Sequence, residues 1–381
     1  MLRTTRITRS APLRGRRFAA GALAVSLLAV GGAACSSSGS TAKDGSSTTT
    51  AAAHGFDPSA YKGLSATLKG SGSTFQQNYD NAAIKTLKAV VPGVTVNYAG
   101  GGSGQGKSDL ADGVVDFAGT DSLVKPEDLA KYPGGILYFP TVVAPITVSY
   151  KLNGVKELKL DGPTLAKIFT AKVTTWDDAS IAALNAGTTL PGTPITVCHR
   201  SDASGTTTNF SKYLASAGGP DWTLGSSDSL QWPAATHGAD GNGGVAQCIK
   251  GKSGAIGYVD LSDAKSQSLA FASIKNKAGE FVQPTLAGAS AAAGAAEVAD
   301  DLTYSPIDTA GKGVYPITSP TWVIVGKAQT DKAKATAVKM LLDFILTDGQ
   351  DASFTSSVNY APLPKSLATK AIAQLEELQV P

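Results

Sequence analysis

Ile195-Thr196-Val197-Cys198-His199-Arg200-Ser201-Asp202-Ala203-Ser204-Gly205-Thr206-Thr207-Thr208 is the stretch on which the reading of this chain turns. A β-branched, apolar run delivers Arg200, Asp202 follows two positions later, and Ser-Gly-Thr then opens a predicted helix over 207–215. In extended chain, residues two apart share a face, so the Asp202 carboxylate can hold the Arg200 guanidinium steady. The first amides of a helix lack partners and sit at its positive end, and arginine adds a planar fork of donors; both suit an oxyanion. An ordinary N-cap beside a surface ion pair would also produce these residues. Two further stretches with similar donors tip the reading toward an anion site.

Working outward, the folded body begins near Leu64. A strand over 64–69 leads into Gly70-Ser71-Gly72-Ser73-Thr74-Phe75, and a helix over 76–90 places Phe75, Tyr79, Ala83 and Leu87 on one face. Val94, Val96 and Tyr98 alternate as a half-buried strand before Gly100-Gly101-Gly102-Ser103 and a short helix. A strand over 114–118 then ends in Gly119-Thr120-Asp121. Strand, glycine-rich turn and helix recur, as in an α/β layer, whose ligands lie beyond the C-terminal ends of the strands. Thr74, Ser103 and Asp121 all fall there.

Two long extended runs, 139–150 and 315–325, read as crossings between two lobes joined by a hinge, with the ligand cleft between them. Between the crossings lie helices near 164–169 and 178–185, with Pro163 at the first helical position. This middle segment also holds the Arg200 stretch, a glycine-rich loop over 237–244, a buried strand over 255–259 and an alanine-rich helix over 287–299. Helices over 331–346 and 364–378 complete the first lobe. The resulting division is 63–143 plus 317–381 for lobe I and 144–316 for lobe II. A chain of 381 residues accommodates two such bodies.

The formal charge of +3 belongs to the N-terminus. Residues 1–34 carry six arginines and no acid, leaving 27 basic against 30 acidic residues in the rest, which gives no electrostatic case for a nucleic-acid partner. The arginines precede an apolar run over 18–30 and Gly31-Gly32-Ala33-Ala34-Cys35, an export signal over 1–34 with Cys35 as lipidation site and first mature residue. Arg16-Arg17-Phe18 also permits twin-arginine export, and Gly32 stands where such lipoprotein signals usually carry leucine. The Ser/Thr/Gly/Ala-rich stretch after it, assigned to 35–62, reads as a flexible tether. Cys198 and Cys248 remain, and in an oxidising compartment they are expected to pair, adding at most about 4 kcal/mol; two separately buried thiols are the alternative.

Other chemistries fare worse. Gly101-x-x-x-x-Gly106-Lys107-Ser108 fits the P-loop template between a strand and a helix, but an exported protein meets little ATP, and a stretch so rich in glycine matches by chance. His54, His199 and His237 are the only histidines; His199 alternates to the face opposite Arg200 and reads as structural. No nucleophile elbow or zinc spacing occurs, and Asp240–Gly244 lacks the bidentate glutamate of a calcium loop, so neither catalytic residue, metal nor cofactor is expected.

Taken together, Gly70-Ser-Gly-Ser-Thr-Phe75, Asn97-Tyr98, Gly102-Ser103, Val115-Asp116-Phe117-Ala-Gly-Thr-Asp121, Arg200-Ser-Asp-Ala-Ser-Gly-Thr206, Gly254-Ala-Ile-Gly-Tyr-Val259 and Tyr315-Pro-Ile-Thr-Ser319 make the chain resemble the phosphate-binding proteins of bacterial phosphate ABC importers. The resemblance covers residues 68–364. It implies an α/β, two-lobed periplasmic-binding-protein-like fold with two hinge-crossing strands, closing over one inorganic phosphate. Its ligand contacts map onto Thr74, Phe75, Ser103, Asp121, Arg200, Ser204, Gly205 and Thr206, with Asp202 orienting the arginine. Ser71 and Ser73 replace common alanines, Gly104-Gln105 departs from the usual residues after Ser103, and His199 stands where an arginine can occur. The resemblance further implies a non-enzymatic monomer, lipid-anchored through Cys35 to the outer face of the cell membrane, that hands phosphate to permease subunits. A binder of another tetrahedral oxyanion and an exported phosphatase are the alternatives.

Overall fold

A parallel βαβ unit forms where the glycine punctuation places it. In the computed structural model, which describes residues 55–381, β1 (Ala66–Gly72) lies between β2 (Val94–Gly100) and β3 (Phe117–Thr120). α1 (Gln77–Val90) and α2 (Ser103–Ala111) are the crossovers. Phe75, Tyr79, Ala83 and Leu87 are all buried, as their spacing requires. The export signal, Cys35 and the tether as far as residue 54 lie outside the described residues.

β1 runs on through Gly72 rather than stopping at Lys69, because the glycine stretch is itself paired on both sides. Gly70 is required there: a Cβ would stand 2.2 Å from the Phe117 ring. β3 begins at Phe117, not Val114, whose side chain is exposed. The end of the expected tether is also docked. Phe56 packs edge-on against Phe344, and the Tyr61 hydroxyl donates to Asp343 at 2.9 Å.

β4 (Ile136–Lys151) is the first crossing. It is buried almost throughout because both of its faces are covered, so it reads as a continuous apolar run without alternation. It pairs antiparallel with β12 (Thr318–Gly326) up to Pro145, then with β8 (Ala255–Asp260) from Ile146 onward. Proline cannot donate to a ladder, and Pro145 sits at that change of partner. Pro140 likewise lies beside the irregularity between Pro320 and Trp322.

The middle segment contributes β5 (Lys159–Leu160), α3 (Gly162–Phe169), α4 (Ala179–Leu184), β6 (Thr196–Arg200), α5 (Gly205–Ala217), β7 (His237–Ala239) and α6 (Gly241–Gly251). Asp161 caps α3, which puts Pro163 one position further in than expected. After β8 come α7 (Leu261–Ser266), β9 (Ala270–Phe271), β10 (Ser273–Lys275), β11 (Phe281–Val282) and α8 (Leu286–Gly294). The chain closes with α9 (Lys332–Leu346), α10 (Ala352–Ser357) and α11 (Lys365–Gln374). The main sheet runs β2-β1-β3-β12-β4-β8-β6-β7, with β9 attached to β4, and β11-β10-β5 form a small second sheet.

The glycine-rich stretch over 237–244, expected to be a loop, is instead β7 followed by the start of α6. Glycine disfavours this helix locally; burial of Val245, Ala246 and Ile249 against Ala255 and Val259 overrides it. The Cys198–Cys248 disulfide ties the same helix to β6.

Candidate binding site

Four chain turns meet between the lobes. β1 leads to Thr74, β2 to Ser103 at the head of α2, β3 to Asp121, and β6 to Arg200 with α5 behind it. α5 starts at Gly205, two residues earlier than expected, because the Ser204 hydroxyl accepts from the Thr207 amide and caps the turn. The amides of Gly205 and Thr206 therefore lead the helix, ahead of the first capped one.

Arg200 is buried with its side chain 1% exposed. Its Nε donates to Asp202 Oδ1 at 2.7 Å and its Nη2 to Asp202 Oδ2; the expected pairing forms, though through a bend after β6 rather than within extended strand. Nη1 reaches Thr206 Oγ1 at 3.3 Å. Burial works against the Asp202 carboxylate, but the guanidinium and the Gly241 amide outweigh it and hold its carboxyl below the usual range. Beyond residue 17, Arg200 is the only arginine in the chain.

Asp121 is 1% exposed. Ser103 Oγ donates to its Oδ1 at 2.6 Å, and Thr206 Oγ1 to its Oδ2 at 3.2 Å. Burial pushes the Asp121 carboxyl up, while Ser103, Ser73, Arg200 and Thr206 hold it partly down. Gly205 passes so close that a Cβ would stand 2.5 Å from both the Asp121 carboxyl carbon and Ser103 Oγ. Thr74 Oγ1 accepts from the backbone and side-chain nitrogens of Asn242, each at 3.1 Å. Phe75 places its ring in the core, and its amide donates to Ser73 Oγ at 3.1 Å.

Ser103, Asp121, Arg200, Ser204, Gly205 and Thr206 thus converge on one buried place with the half-buried Thr74 at its edge, while the Phe75 amide is turned to Ser73 Oγ and its carbonyl accepts from the Tyr360 hydroxyl. A family model described as a PBP superfamily domain matches residues 39–349. Phosphate-binding protein PstS 2 of Mycobacterium tuberculosis (strain ATCC 25618 / H37Rv) is 35% identical over 378 residues, spanning 95% of this chain and 100% of the relative. The chain belongs to the phosphate-binding-protein family. PstS3 of Mycobacterium bovis (strain BCG / Pasteur 1173P2), another such relative, is 37% identical over 323 residues, 81% of this chain and 85% of the relative. In fold, the chain is similar to a high affinity periplasmic phosphate-binding protein (PfluDING) bound with phosphate, at a TM-score of 0.66 and 23% identity over 81% of this chain and 94% of the other.

Within this family member, sequence reasoning passed over Asn242 because its glycine neighbours read as a turn. It also passed over Asn209, whose Nδ2 donates to the Asp121 carbonyl at 2.6 Å, and Tyr258, whose hydroxyl accepts from the Arg200 amide at 3.1 Å. Asn209 follows Thr206 by three positions on α5, one turn along the same face, but the predicted helix began after Thr206 and so did not pair them. The P-loop-like lysine does not cradle an anion at the head of α2. Lys107 Nζ donates to Ser122 Oγ at 3.0 Å and the Leu123 carbonyl at 3.1 Å, and pairs with Asp228 at 3.7 Å. His199 holds the Arg200 carbonyl through Nδ1 at 2.9 Å and stacks on Trp232. Among the described residues, no helix is long and apolar enough to cross a membrane.

Proposed function

We propose that this chain binds inorganic phosphate between its lobes and delivers it to the permease subunits of an ABC importer. The single observation carrying the reading is a buried carboxylate and a buried guanidinium held in one cluster of hydroxyls and helix-leading amides. Arg200 supplies charge and, with the amides of Gly205 and Thr206, attraction. Asp121 supplies an acceptor. A carboxylate has about four lone-pair sites, and the Ser103, Ser73 and Thr206 hydroxyls use three, so acceptor capacity remains for a hydrogen on the ligand. Phosphate near neutral pH carries that hydrogen, whereas sulfate would press a bare oxygen against a buried carboxylate, at a cost upwards of about 1–3 kcal/mol.

Lobe I is assigned to 63–143 plus 317–381 and lobe II to 144–316. The change of partner along β4 at Pro145–Ile146 supports that hinge. The protein acts as a monomeric binder rather than an enzyme, exported and anchored through lipid on Cys35. Calorimetry of phosphate-stripped mature protein with phosphate, sulfate and magnesium–ATP tests the reading: tight phosphate with weak sulfate is expected. Equal affinity for phosphate and sulfate would remove Asp121 as the discriminator, and turnover of a phosphomonoester would return the exported-phosphatase reading.

A further inference from the structure

Asn242, the second residue of α6, is fully buried at the join between the lobes. Its Nδ2 carries two hydrogens and has two acceptors in reach, Thr74 Oγ1 at 3.1 Å and Thr206 Oγ1 at 3.2 Å. The Asn242 main-chain amide donates to Thr74 Oγ1 as well, at 3.1 Å. On its other side, Asn242 Oδ1 accepts from the Asp260 amide at 3.2 Å, and a backbone N–H can only donate, so it fixes which end of the side-chain amide is oxygen.

A threonine hydroxyl has one hydrogen and two acceptor lone pairs. Both acceptor positions of Thr74 are taken by Asn242, which leaves that hydroxyl able only to donate. Both positions of Thr206 are taken too, by Asn242 Nδ2 and by Arg200 Nη1 at 3.3 Å, and its hydrogen goes toward Asp121 Oδ2 at 3.2 Å. We propose that Asn242 is a specificity-determining positioning residue: by filling the acceptor sides of Thr74 and Thr206, it makes both hydroxyls pure donors, Thr74 toward an oxyanion and Thr206 toward the Asp121 carboxylate that meets the ligand's hydrogen.

The inference rests on the phosphate reading of the site and deepens it. Thr74 belongs to the β1 side of the cleft and Asn242 to the β6–β8 side, so the polarity of the Thr74 hydroxyl is set only as the two sides meet. Selection and closure are then a single event. The Cys198–Cys248 bridge holds α6 against β6 and so keeps Asn242 in register with Arg200. The charged groups around position 242 are Asp240 at the head of α6, Asp260 from β8, Arg200 and Asp202 from the β6 turn, and Asp121 just after β3.

Asn242→Asp conserves shape but reverses polarity, turning both hydroxyl hydrogens inward. Calorimetry with inorganic phosphate, each variant compared with the parent at the same pH, should show Asn242→Asp weakened by roughly 100-fold at pH 8. The deficit should shrink toward pH 5, where the new carboxyl takes up a proton and donates again. Asn242→Ala should be weakened by roughly 10-fold, with no such pH trend. Asn242→Asp binding like the parent, or a deficit identical for both variants at every pH, would overturn the inference. If Asn242→Asp does not fold, a double-mutant cycle of Asn242→Ala with Thr74→Val decides, strong coupling being expected and additivity overturning it. A parent protein that ignores phosphate sinks the functional reading itself; a phosphate-binding parent with indifferent position-242 variants sinks only this inference.

Discussion

Every positive charge beyond residue 17 is lysine except Arg200, the one carried into the interior. Lysine is a strongly hydrated point charge, whereas the guanidinium is weakly hydrated and offers a fixed fork, one edge for Asp202 and another toward the site. A chain cleaved before Cys35 therefore holds a single guanidinium, and an arginine-directed dicarbonyl reagent should add once, slowly when phosphate is present. Addition at an unchanged rate with saturating phosphate would place the ligand elsewhere. Arg200→Ala leaves Asp202 uncompensated, and phosphate affinity should fall by about 3 kcal/mol or more, well beyond a surface ion pair. Arg200→Lys should recover little of the loss. Asp121→Asn should raise sulfate affinity relative to phosphate in the same titration.

A second buried carboxylate has a consequence for stability. Burial pushes the Asp80 carboxyl up to about 7, with the Gln76 side-chain amide holding it partly down. Because its folded value lies above the unfolded 3.8, its contribution is fully present below that value and is lost as pH rises toward about 7. Asp80→Asn should melt higher than the parent at pH 8, by up to about 4 kcal/mol in stability, and alike at pH 3. A melting difference that does not vary with pH would contradict this account.

At the scale of elements, α6 is the instructive case. Its first four residues are Gly-Asn-Gly-Gly, which local propensity reads as a turn, and the helix exists because Val245, Ala246 and Ile249 find an apolar floor. The disulfide from Cys248 to Cys198 spans 50 residues and secures the same packing. Replacing both cysteines by serine should cost about 2–4 kcal/mol in urea unfolding, and should weaken phosphate binding because α6 carries Asn242. Unaltered affinity would separate the bridge from the site. The head of α5 makes the complementary point, since Gly205 lies against Asp121 and Ser103 with no room for a methyl group. Gly205→Ala should keep the parent's circular dichroism yet lose most phosphate affinity, because the added carbon blocks closure.

At the scale of the whole molecule, β4 changes partner from β12 to β8 along its length, and the Thr321 hydroxyl fastens β12 to β4 by donating to the Val142 carbonyl at 2.7 Å. Contacts across the cleft are polar: Thr74 with Asn242, Asp121 with Thr206, the Gly104 amide to the Ala203 carbonyl at 2.9 Å, and the Lys107–Asp228 pair at 3.7 Å. Such contacts exchange readily for water, so the cleft opens at modest cost and ligand decides the balance. Saturating phosphate should raise the melting temperature by mass action and shrink the radius of gyration in solution scattering. No compaction on binding would argue against a closing cleft.

The parallel layer, the two crossings and the Arg200–Asp202 pairing were all legible in the chain. Periodicity, glycine punctuation and i,i+2 spacing are local properties, fixed by backbone geometry before any long-range contact forms. The resemblance carried by ordered motifs added the eight positions expected to contact the ligand. Only the tertiary structure decided that 241–251 is a helix, that residues 56–62 dock on the body, and that Asn242 joins Thr74 to Thr206. Those outcomes depend on burial and hydrogen-bond partners supplied from up to roughly 290 positions away along the chain, which no local pattern encodes.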